Sequence, residues 1–320
     1  MMQISSFKHN ILENLTAFYN SQTLTVPYTP RIDSEMFERR VLQHPLFDPD
    51  GLLLAVDGNR IQGMVHTGFW TKPKAVTPQT SWLGPFWEFG TIVMFLFPRE
   101  YPEAGNCLIR AAEDYSRKKG RTQFAGFSRL GGYLFYKDLY LAGEPLCWDG
   151  APHIQNSLIK AGYRKTEPTC LMGMRLKERP KEIPTKIELN ICVKDAPAGQ
   201  APAPFSGFGG KPGRMVLSYH QGEFTGSCGF ARLENTITAG REKPIGAFGM
   251  GTAERFQRQG VGTHLLTRAL GLMWDEGIRK VVLQTGDDNI PAVRFYEKLG
   301  FKTEPEAHAH GFRKEGTPEE

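Results

Sequence analysis

The sequence lacks the long apolar segments that mark membrane proteins and exported precursors. Its longest strongly apolar run, Phe89 to Phe97, has nine residues, whereas a membrane-spanning helix needs about 20. The first residues, MMQISSFKHNILENL, contain no continuous apolar stretch of the kind that forms a signal peptide. We therefore expect a cytoplasmic protein that has no membrane partner.

Cysteine is also scarce, and its spacing excludes the common uses of cysteine clusters. The chain has five cysteines and no C-x-x-C pair. They lie far apart, at Cys107, Cys147, Cys170, Cys192 and Cys228. This spacing is typical of neither a disulfide framework nor a zinc site. We expect reduced, mostly buried thiols and no metal.

Charge of one sign is not concentrated anywhere along the chain. The formal net charge is +5, with 20 Lys and Arg against 17 Asp and Glu up to residue 178, and 19 against 17 after it. Because no basic arm stands out, we expect no nucleic-acid partner. With 40% hydrophobic and 23% charged residues, the 320-residue chain can form two ordinary domains.

Strand and helix patterns follow one another in a similar order in both halves of the chain. In the first half, helices are predicted at Ile11–Ser21, Ser34–Leu42 and Cys107–Lys119, and strands at Gly51–Val56, Arg60–Phe69 and Gly90–Phe97. The residues Asp57-Gly58-Asn59 predict a hairpin between the first two of these strands. In the second half, strands are predicted at Lys186–Val193, Arg214–Tyr219, Phe224–Leu233, Gly246–Gly251 and Lys280–Gln284, and helices at Val261–Glu276 and Ile290–Leu299. Antiparallel strands followed by a helical crossover predict a mixed α/β sheet, an α+β arrangement.

A short repeat links the two halves. Residues Lys160–Pro168 (KAGYRKTEP) resemble Lys298–Pro305 (KLGFKTEP) when one inserted residue is allowed. Because each copy ends a similar order of elements, we infer a duplicated fold. The charged segment Arg175–Lys186 contains two prolines and predicts a linker. The predicted domains are residues 1–178 and 179–320.

A glycine-rich turn precedes the first helix of the second half. It reads Gln257-Arg-Gln-Gly260-Val-Gly262-Thr263 and follows a predicted strand. Glycine lets the backbone approach a ligand closely, and the first N–H groups of a helix have no partner within it. A pyrophosphate suits such a site, although a turn of this composition can also serve structure alone.

A second motif lies downstream, between Asn289 and Phe301. Pro291 suits the first turn of a helix and Gly300 its end, and Tyr296 lies two turns after Asn289. Taken alone, Asn289 is more simply a helix cap and Tyr296 a packed aromatic residue.

Together the two motifs resemble the GNAT acetyltransferase superfamily over roughly Arg214–Thr303. Its members carry Gln/Arg-x-x-Gly-x-Gly/Ala after the fourth strand, then an Asn and a Tyr around the helix that follows the fifth. With the repeat, the resemblance implies two tandem GNAT-like acyl-CoA N-acyltransferase domains. It also implies acetyl-CoA as donor and an amine, on a small molecule or a peptide, as acceptor. A homodimer stays open.

The resemblance further implies a role for each residue of the site. The residues whose backbone would hold the pyrophosphate are Gln257, Arg258, Gln259, Gly260, Val261, Gly262 and Thr263. Those that would lie along the pantetheine are Met250, Gly251 and Thr252, and Asn289 would contact the CoA arm. Tyr296 would be the catalytic acid, since a phenol with a pKa of about 10 can protonate a departing thiolate. Candidates for the general base are Glu254, Glu223, Glu234, His220 and His264, and a water relay to bulk solvent is an equal alternative.

The first half resembles the same fold without its chemistry. Aligning Gly105 with Gly260 puts a proline and a cysteine at two positions of the glycine motif, and the aligned repeats put Leu158 opposite Tyr296. We therefore predict a degenerate first half without the acid or the pyrophosphate turn. Its Tyr- and Leu-rich stretch, Gly131–Trp148, suits either an acceptor pocket or ordinary packing.

Two functions stay open for the second half. One is an N-acetyltransferase in which the amine attacks the thioester directly, and the other is a non-catalytic acyl-CoA-binding regulatory protein. Tyr296 beside an intact pyrophosphate turn favours the enzyme. The segment Asp195–Gly213, rich in proline and glycine, predicts a loop where single-domain members have two helices over the acceptor. We hypothesise that this loop, or the first domain, closes the acceptor site.

Overall fold

The computed structural model describes residues 2–24, 26, 28–69, 88–128, 135–136, 146–196, 213–233, 236–237 and 244–314. The chain divides into two compact units: unit 1 is Met1–Thr169 with His308–Glu320, and unit 2 is Cys170–Ala307. The predicted domain boundary after residue 178 stays a prediction. Most of the predicted loop Asp195–Gly213 and of the stretch Gly131–Trp148 lies outside the described residues. Within the described ranges, every helix is too short or too polar to cross a membrane.

Each unit contains helices and a set of strands that pair in both parallel and antiparallel directions. The helices and strands of the first half of the chain, up to Arg175, are β1 (Gln3–Ser6), α1 (Leu12–Thr23), β2 (Thr29–Pro30), α2 (Ser34–Phe37), β3 (Leu52–Asp57), β4 (Arg60–Gly68), β5 (Phe89–Leu96), α3 (Pro102–Lys118), β6 (Gln123–Gly126), β7 (Cys147–Trp148), α4 (Pro152–Lys160) and β8 (Arg164–Arg175). The remaining elements are β9 (Asn190–Ala196), β10 (Gly213–His220), β11 (Glu223–Leu233), β12 (Thr236–Ile237), β13 (Ile245–Thr252), α5 (Val261–Asp275), β14 (Lys280–Gly286), α6 (Ile290–Lys298) and β15 (Lys302–Lys314).

The predicted order of antiparallel strands and a helical crossover is confirmed in each unit. In unit 1 the strands lie in the order β1-β3-β4-β5-β6, and in unit 2 in the order β14-β13-β11-β10-β9. Strands before the crossover helix are antiparallel, whereas β5 with β6 and β13 with β14 are parallel. The hairpin predicted at Asp57-Gly58-Asn59 joins β3 to β4, and Gly58 has a φ of 58° that suits its turn.

The helix of the first crossover begins earlier than the sequence predicts. α3 starts at Pro102, because proline suits the first helical position, and Gly105 therefore lies within the helix. A Cβ added at Gly105 would lie 2.6 Å from Cζ of Phe97. Gly105 therefore allows α3 to pack closely against Phe97 and does not form a turn. The predicted alignment of Gly105 with the turn glycine Gly260 is wrong.

The predicted linker is fixed along a helix of unit 2 over much of its length. Arg179 forms two hydrogen bonds of 2.9 Å with Asp275, at the end of α5. Lys186 N–H donates to the carbonyl of Gln259 at 3.1 Å. β9 begins at Asn190 and not at Lys186 as predicted, because its pairing with β10 ends where Asn190 lies opposite Tyr219.

The core of unit 1 contains a buried histidine. His66 of β4 is fully buried, stacks on Phe135 at 4.4 Å and contacts the Tyr136 hydroxyl through Nδ1 at 3.1 Å. Its Nε2 has no hydrogen-bond partner among the described residues. Burial, with a smaller effect of His44 and an opposing one of Asp48, lowers the pKa of His66 to about 3.

We predict that His66 makes the fold acid-sensitive. Because its pKa is lower in the folded chain than the usual 6.5, its contribution to stability is complete above about pH 6.5 and is lost as pH falls towards 3. The loss is about 1.4 kcal/mol per pH unit. Denaturant unfolding at pH 7 and pH 5 should show roughly 2 kcal/mol more loss for the wild type than for His66→Gln. The exposed His9→Gln control should follow the wild type, and an equal loss in all three proteins would contradict the prediction.

Candidate functional site

The cleft of unit 2 begins where two parallel strands separate. β13 and β14 pair at three positions, of which the last joins Ala247 to Val282. Beyond this pair β13 continues to Thr252 on its other neighbour, β11. In such an edge, alternate residues direct their N–H and C=O groups away from the paired strand. The end of β13 therefore offers backbone hydrogen-bonding groups to a ligand in the gap.

Three aromatic rings pack at the point of separation. Phe248, the first residue of β13 beyond the pairing, lies 5.9 Å from the ring of Tyr296 and 5.6 Å from that of Phe301. The rings of Tyr296 and Phe301 are 5.9 Å apart. These separations are typical of favourable aromatic pairs. The cluster fixes Tyr296 of α6 against the end of β13.

The turn between β13 and α5 has an unusual backbone. A single 3-10 turn, Glu254–Phe256, is followed by Arg258 with a φ of 59° and Gly260 with a φ of 89°. Glycine adopts this left-handed conformation freely, whereas an arginine adopts it rarely. Such a conformation in a non-glycine residue often marks a functional turn.

The start of α5 directs unpaired N–H groups towards the cleft. The first helical hydrogen bond joins the N–H of His264 to the carbonyl of Gly260 at 3.0 Å. The N–H groups of Val261, Gly262 and Thr263 therefore have no partner within the helix, and they lie at the positive end of its dipole. They suit an anion such as a phosphate.

The absence of a side chain at Gly262 keeps the cleft open beside this turn. A Cβ added there would lie 3.2 Å from Oγ1 of Thr252 and 3.3 Å from Cε of Met250. Phe295 of α6 is the third neighbour, with Cζ at 3.8 Å. A larger residue at 262 would therefore fill the space between the turn, β13 and α6.

These elements enclose a cleft of about 580 Å³, a size that is common for small-molecule sites. Ten of the twelve predicted site residues line it, namely Met250, Gly251, Thr252, Gln257, Arg258, Gly260, Gly262, Thr263, Asn289 and Tyr296. The sequence therefore identified residues that the fold brings together, although their roles stay predictions.

Two predicted residues, Gln259 and Val261, do not line the cleft. The side chain of Gln259 donates to the carbonyl of Arg255 at 2.9 Å. The Val261 side chain is 1% exposed and belongs to the core. Only the backbone of these residues can face a ligand.

Tyr296 combines a buried ring with a hydroxyl at the cleft. Its side chain is 8% exposed, and burial, with a smaller effect of Cys228, raises its pKa above the usual value. The phenol is therefore protonated over the physiological pH range. No described residue accepts a hydrogen bond from this hydroxyl.

Asn289 caps α6. Its Oδ1 accepts from the N–H of Ala292 at 3.3 Å, as the simpler interpretation of the sequence predicts. The side-chain NH₂ of Asn289 is not needed for this cap, so it can still contact a ligand.

Three residues of the lining were missed: Pro291, Ala292 and Phe295. They belong to α6, where residues three or four positions apart share a face. Ala292 lies three residues after Asn289 and four before Tyr296, so this spacing could have indicated it, whereas Phe295 has no such spacing from either residue.

None of the described candidates for the general base lines the cleft. Glu223 forms an ion pair with Arg255. His220 Nδ1 lies 2.8 Å from the carbonyl of Glu188, and His264 Nδ1 lies 2.9 Å from that of Ile183. Glu254 is exposed at the start of the 3-10 turn, and residue 234 lies outside the described ranges. Within those ranges, no cluster of His, Cys, Asp or Glu could hold a metal ion.

The corresponding cleft of unit 1 is smaller and differently lined. It has about 190 Å³, at the carboxyl end of β5 and the start of α4. His153 of α4 lies against β5, with Nε2 at 2.9 Å from the carbonyl of Phe97 and its ring 5.1 Å from the Phe97 ring. Leu158, which is fully buried, is the seventh residue of α4, as Tyr296 is of α6.

Comparisons with known proteins agree with this geometry. Residues 188–301 match the model of the acetyltransferase (GNAT) family. A mycothiol acetyltransferase of Corynebacterium aurimucosum is 46% identical over 52 residues, which are 16% of this chain and 17% of that protein. The N-alpha-acetyltransferase 30 of Schizosaccharomyces pombe is 40% identical over 48 residues, which are 15% of this chain and 32% of that protein. The chain thus matches well under half the length of these relatives.

Two solved structures share the fold over nearly the whole chain. A tandem GNAT protein from the clavulanic acid biosynthesis pathway has a TM-score of 0.65 at 12% identity, with 100% of both chains covered. A GCN5-related N-acetyltransferase from Sphaerobacter thermophilus has a TM-score of 0.61 at 12% identity, with 99% of this chain and 96% of that one covered. At such low identity the likeness concerns the fold alone.

We predict that the turn depends on glycine at 260 for its stability. Gly260→Ala places a side chain in the left-handed region and should lower the free energy of unfolding by about 1 kcal/mol. Gly251→Ala is the matched control, because a Cβ there meets nothing within 4 Å. Urea unfolding of both variants measures the difference, and equal stabilities would contradict it.

Proposed function

We propose, from the match of residues 188–301 to the GNAT family, that the protein is an N-acetyltransferase that transfers an acetyl group from acetyl-CoA to an amine. Its active site is the cleft of unit 2. The observation that carries the proposal is the position of Tyr296 and the turn before α5 on one cleft. A binding turn and a proton donor are thus within reach of one bound molecule.

The donor would bind along three sides of the cleft. The N–H groups of Val261, Gly262 and Thr263 would hold the pyrophosphate, and the empty space at Gly262 would admit it. The free backbone groups of Met250–Thr252 would bind the pantetheine arm, and the NH₂ of Asn289 would contact the arm from the other side. Acetyl-CoA would supply the acetyl group as a thioester.

The chain's own groups would then promote direct attack by a neutral amine. A backbone N–H at the end of β13 would stabilise negative charge on the carbonyl oxygen, and Tyr296 would give its proton to the departing sulfur. The proton that the attacking nitrogen loses would pass through water to bulk solvent, because none of the described candidates for the general base lines the cleft. No side-chain nucleophile is needed. Burial raises the pKa of the Cys228 thiol, and that of Cys170 to about 12, so neither is an activated thiolate.

A non-catalytic acyl-CoA-binding regulatory protein is the second candidate. It is favoured by the fact that no described candidate for the base lines the cleft. Turnover assays across a panel of amines separate the two, because binding without turnover on any amine would favour the regulatory protein.

The acceptor is proposed only as an amine on a small molecule or a peptide. The relatives include a mycothiol acetyltransferase and an N-alpha-acetyltransferase, so their names favour neither class. Cytoplasmic location and the absence of metal and nucleic-acid partners remain parts of the proposal, and a homodimer stays open. Unit 1 is proposed to be degenerate, since its cleft is small and its α4 carries Leu158 in place of a tyrosine.

We predict that Tyr296→Phe lowers kcat for acetyl transfer by about 100-fold or more, the usual contribution of a general acid. KM for acetyl-CoA should change little, because the ring and its packing remain. Tyr219→Phe, on β10 and outside the cleft lining, is the matched control. A Tyr296→Phe enzyme as fast as Tyr219→Phe would refute the role of the phenol.

We also predict one donor site per chain. Titration calorimetry with CoA should give a stoichiometry of one, and Gly262→Val should abolish binding because its side chain would occupy the space beside Met250 and Thr252. Circular dichroism checks that the variant folds. A stoichiometry of two, or a Gly262→Val protein that still binds one CoA, would contradict a single donor site at this turn.

A further inference from the structure

We propose that the segment Arg179–Lys186, here called the strap, holds the turn before α5 in its binding conformation. Thr267 and His264 are then positioning residues for the acyl donor. The inference rests on the proposed function, because it concerns the same cleft. It gives a role to a segment that the sequence indicates only as a linker.

Two side chains of α5 hold one residue of the strap. The N–H of Ile183 donates to Oγ1 of Thr267 at 3.1 Å, and Nδ1 of His264 lies 2.9 Å from the Ile183 carbonyl. Because a carbonyl can only accept, Nδ1 of His264 carries the proton in this contact. Both backbone groups of Ile183 are thereby used.

The Thr267 hydroxyl is well placed for this contact. Thr267 is 5% exposed, and its Oγ1 also lies 2.9 Å from the carbonyl of Thr263. It can donate to that carbonyl while it accepts from Ile183, so donor and acceptor capacities are both satisfied. The hydroxyl joins the strap to the first turn of α5.

Further along, the strap contacts the turn itself. The N–H of Lys186 donates to the carbonyl of Gln259 at 3.1 Å. A Cβ added at Gly260 would lie 3.4 Å from Cα of Thr185. The strap therefore packs against the turn, while none of its own residues lines the cleft.

The turn needs such support because two of its residues have left-handed backbones. Gly260 adopts this backbone conformation without strain, but Arg258 has a side chain and does not. A strained backbone persists only where its surroundings hold it. If the strap shifts, the N–H groups at the start of α5 lose their alignment with a bound phosphate. The chemistry at Tyr296 is on another element and should be unaffected.

The far end of the strap provides an internal control. Arg179 contacts Asp275, the last residue of α5, which lies about 16 Å along the helix from His264. Both contacts fix the strap to the same helix. Of the contacts of Arg179 and Ile183, those of Ile183 lie close to the turn, so we expect their loss, and not the loss of the Arg179 contact, to affect donor binding.

The test compares Thr267→Val, Thr267→Ser, His264→Ala and Arg179→Ala in the full chain. Valine keeps the shape of threonine but removes the hydroxyl, and serine keeps the hydroxyl. We expect Thr267→Val and His264→Ala to raise the Kd for CoA and the KM for acetyl-CoA about fivefold, as the loss of one hydrogen bond would, with kcat unchanged. Thr267→Ser and Arg179→Ala should resemble the wild type.

The outcomes distinguish this inference from the proposed function. If the wild type binds no CoA in calorimetry, the proposed function fails, and the inference with it. If the wild type binds CoA but Thr267→Val and His264→Ala bind it equally well, the inference alone is overturned. A fall in kcat without a change in KM would also overturn it. His264→Ala, at a half-buried site, keeps the test decisive if Thr267→Val does not fold.

Discussion

The brief pairing of β13 with β14 is the constraint on which the candidate site depends. Three residue pairs join the strands, and the next residue of β13, Phe248, packs against Tyr296 and Phe301. These rings lie where the two strands no longer pair, with α6 beside them. The gap leaves backbone groups of β13 available, and the same rings hold a phenol beside it. The early end of the β13–β14 pairing thus accounts both for the available backbone groups of β13 and for the position of the proposed acid.

The same pair of separating parallel strands occurs in unit 1, but its surroundings differ. β5 and β6 are also parallel and their pairing also ends early, at Ile92 with Gly126. There, however, the His153 imidazole contacts the carbonyl of Phe97, just beyond β5, so a side chain of the protein occupies the backbone at the end of this strand. With α3 beginning at Pro102, no left-handed residue precedes the helix within the described part of the loop. The duplicated fold therefore keeps its architecture in both units, while the features of a donor site occur together in unit 2.

Sequence reasoning succeeded where local physics decides the outcome. Glycine and proline fix the ends of α6, and the hairpin at Gly58 follows from its turn residues. It failed where long-range contacts decide. Gly105 looks like a turn glycine but packs on Phe97, and Lys186 looks like part of a strand but binds Gln259. Phe295 was missed because its neighbour at Gly262 is distant in sequence, and the general base could not be found because no spacing defines it.

The hydroxyl of Tyr296 distinguishes the two candidate functions in physical terms. Phenylalanine would fill the same place among Phe248, Phe295 and Phe301 without a polar group to desolvate. No described residue accepts a hydrogen bond from the phenol, so packing and internal hydrogen bonding do not explain its oxygen. A site that only binds acyl-CoA needs the turn before α5 and the unpaired end of β13, but it does not need a proton donor. The phenol is therefore best explained by chemistry at the departing sulfur, which is why we place catalysis before regulation.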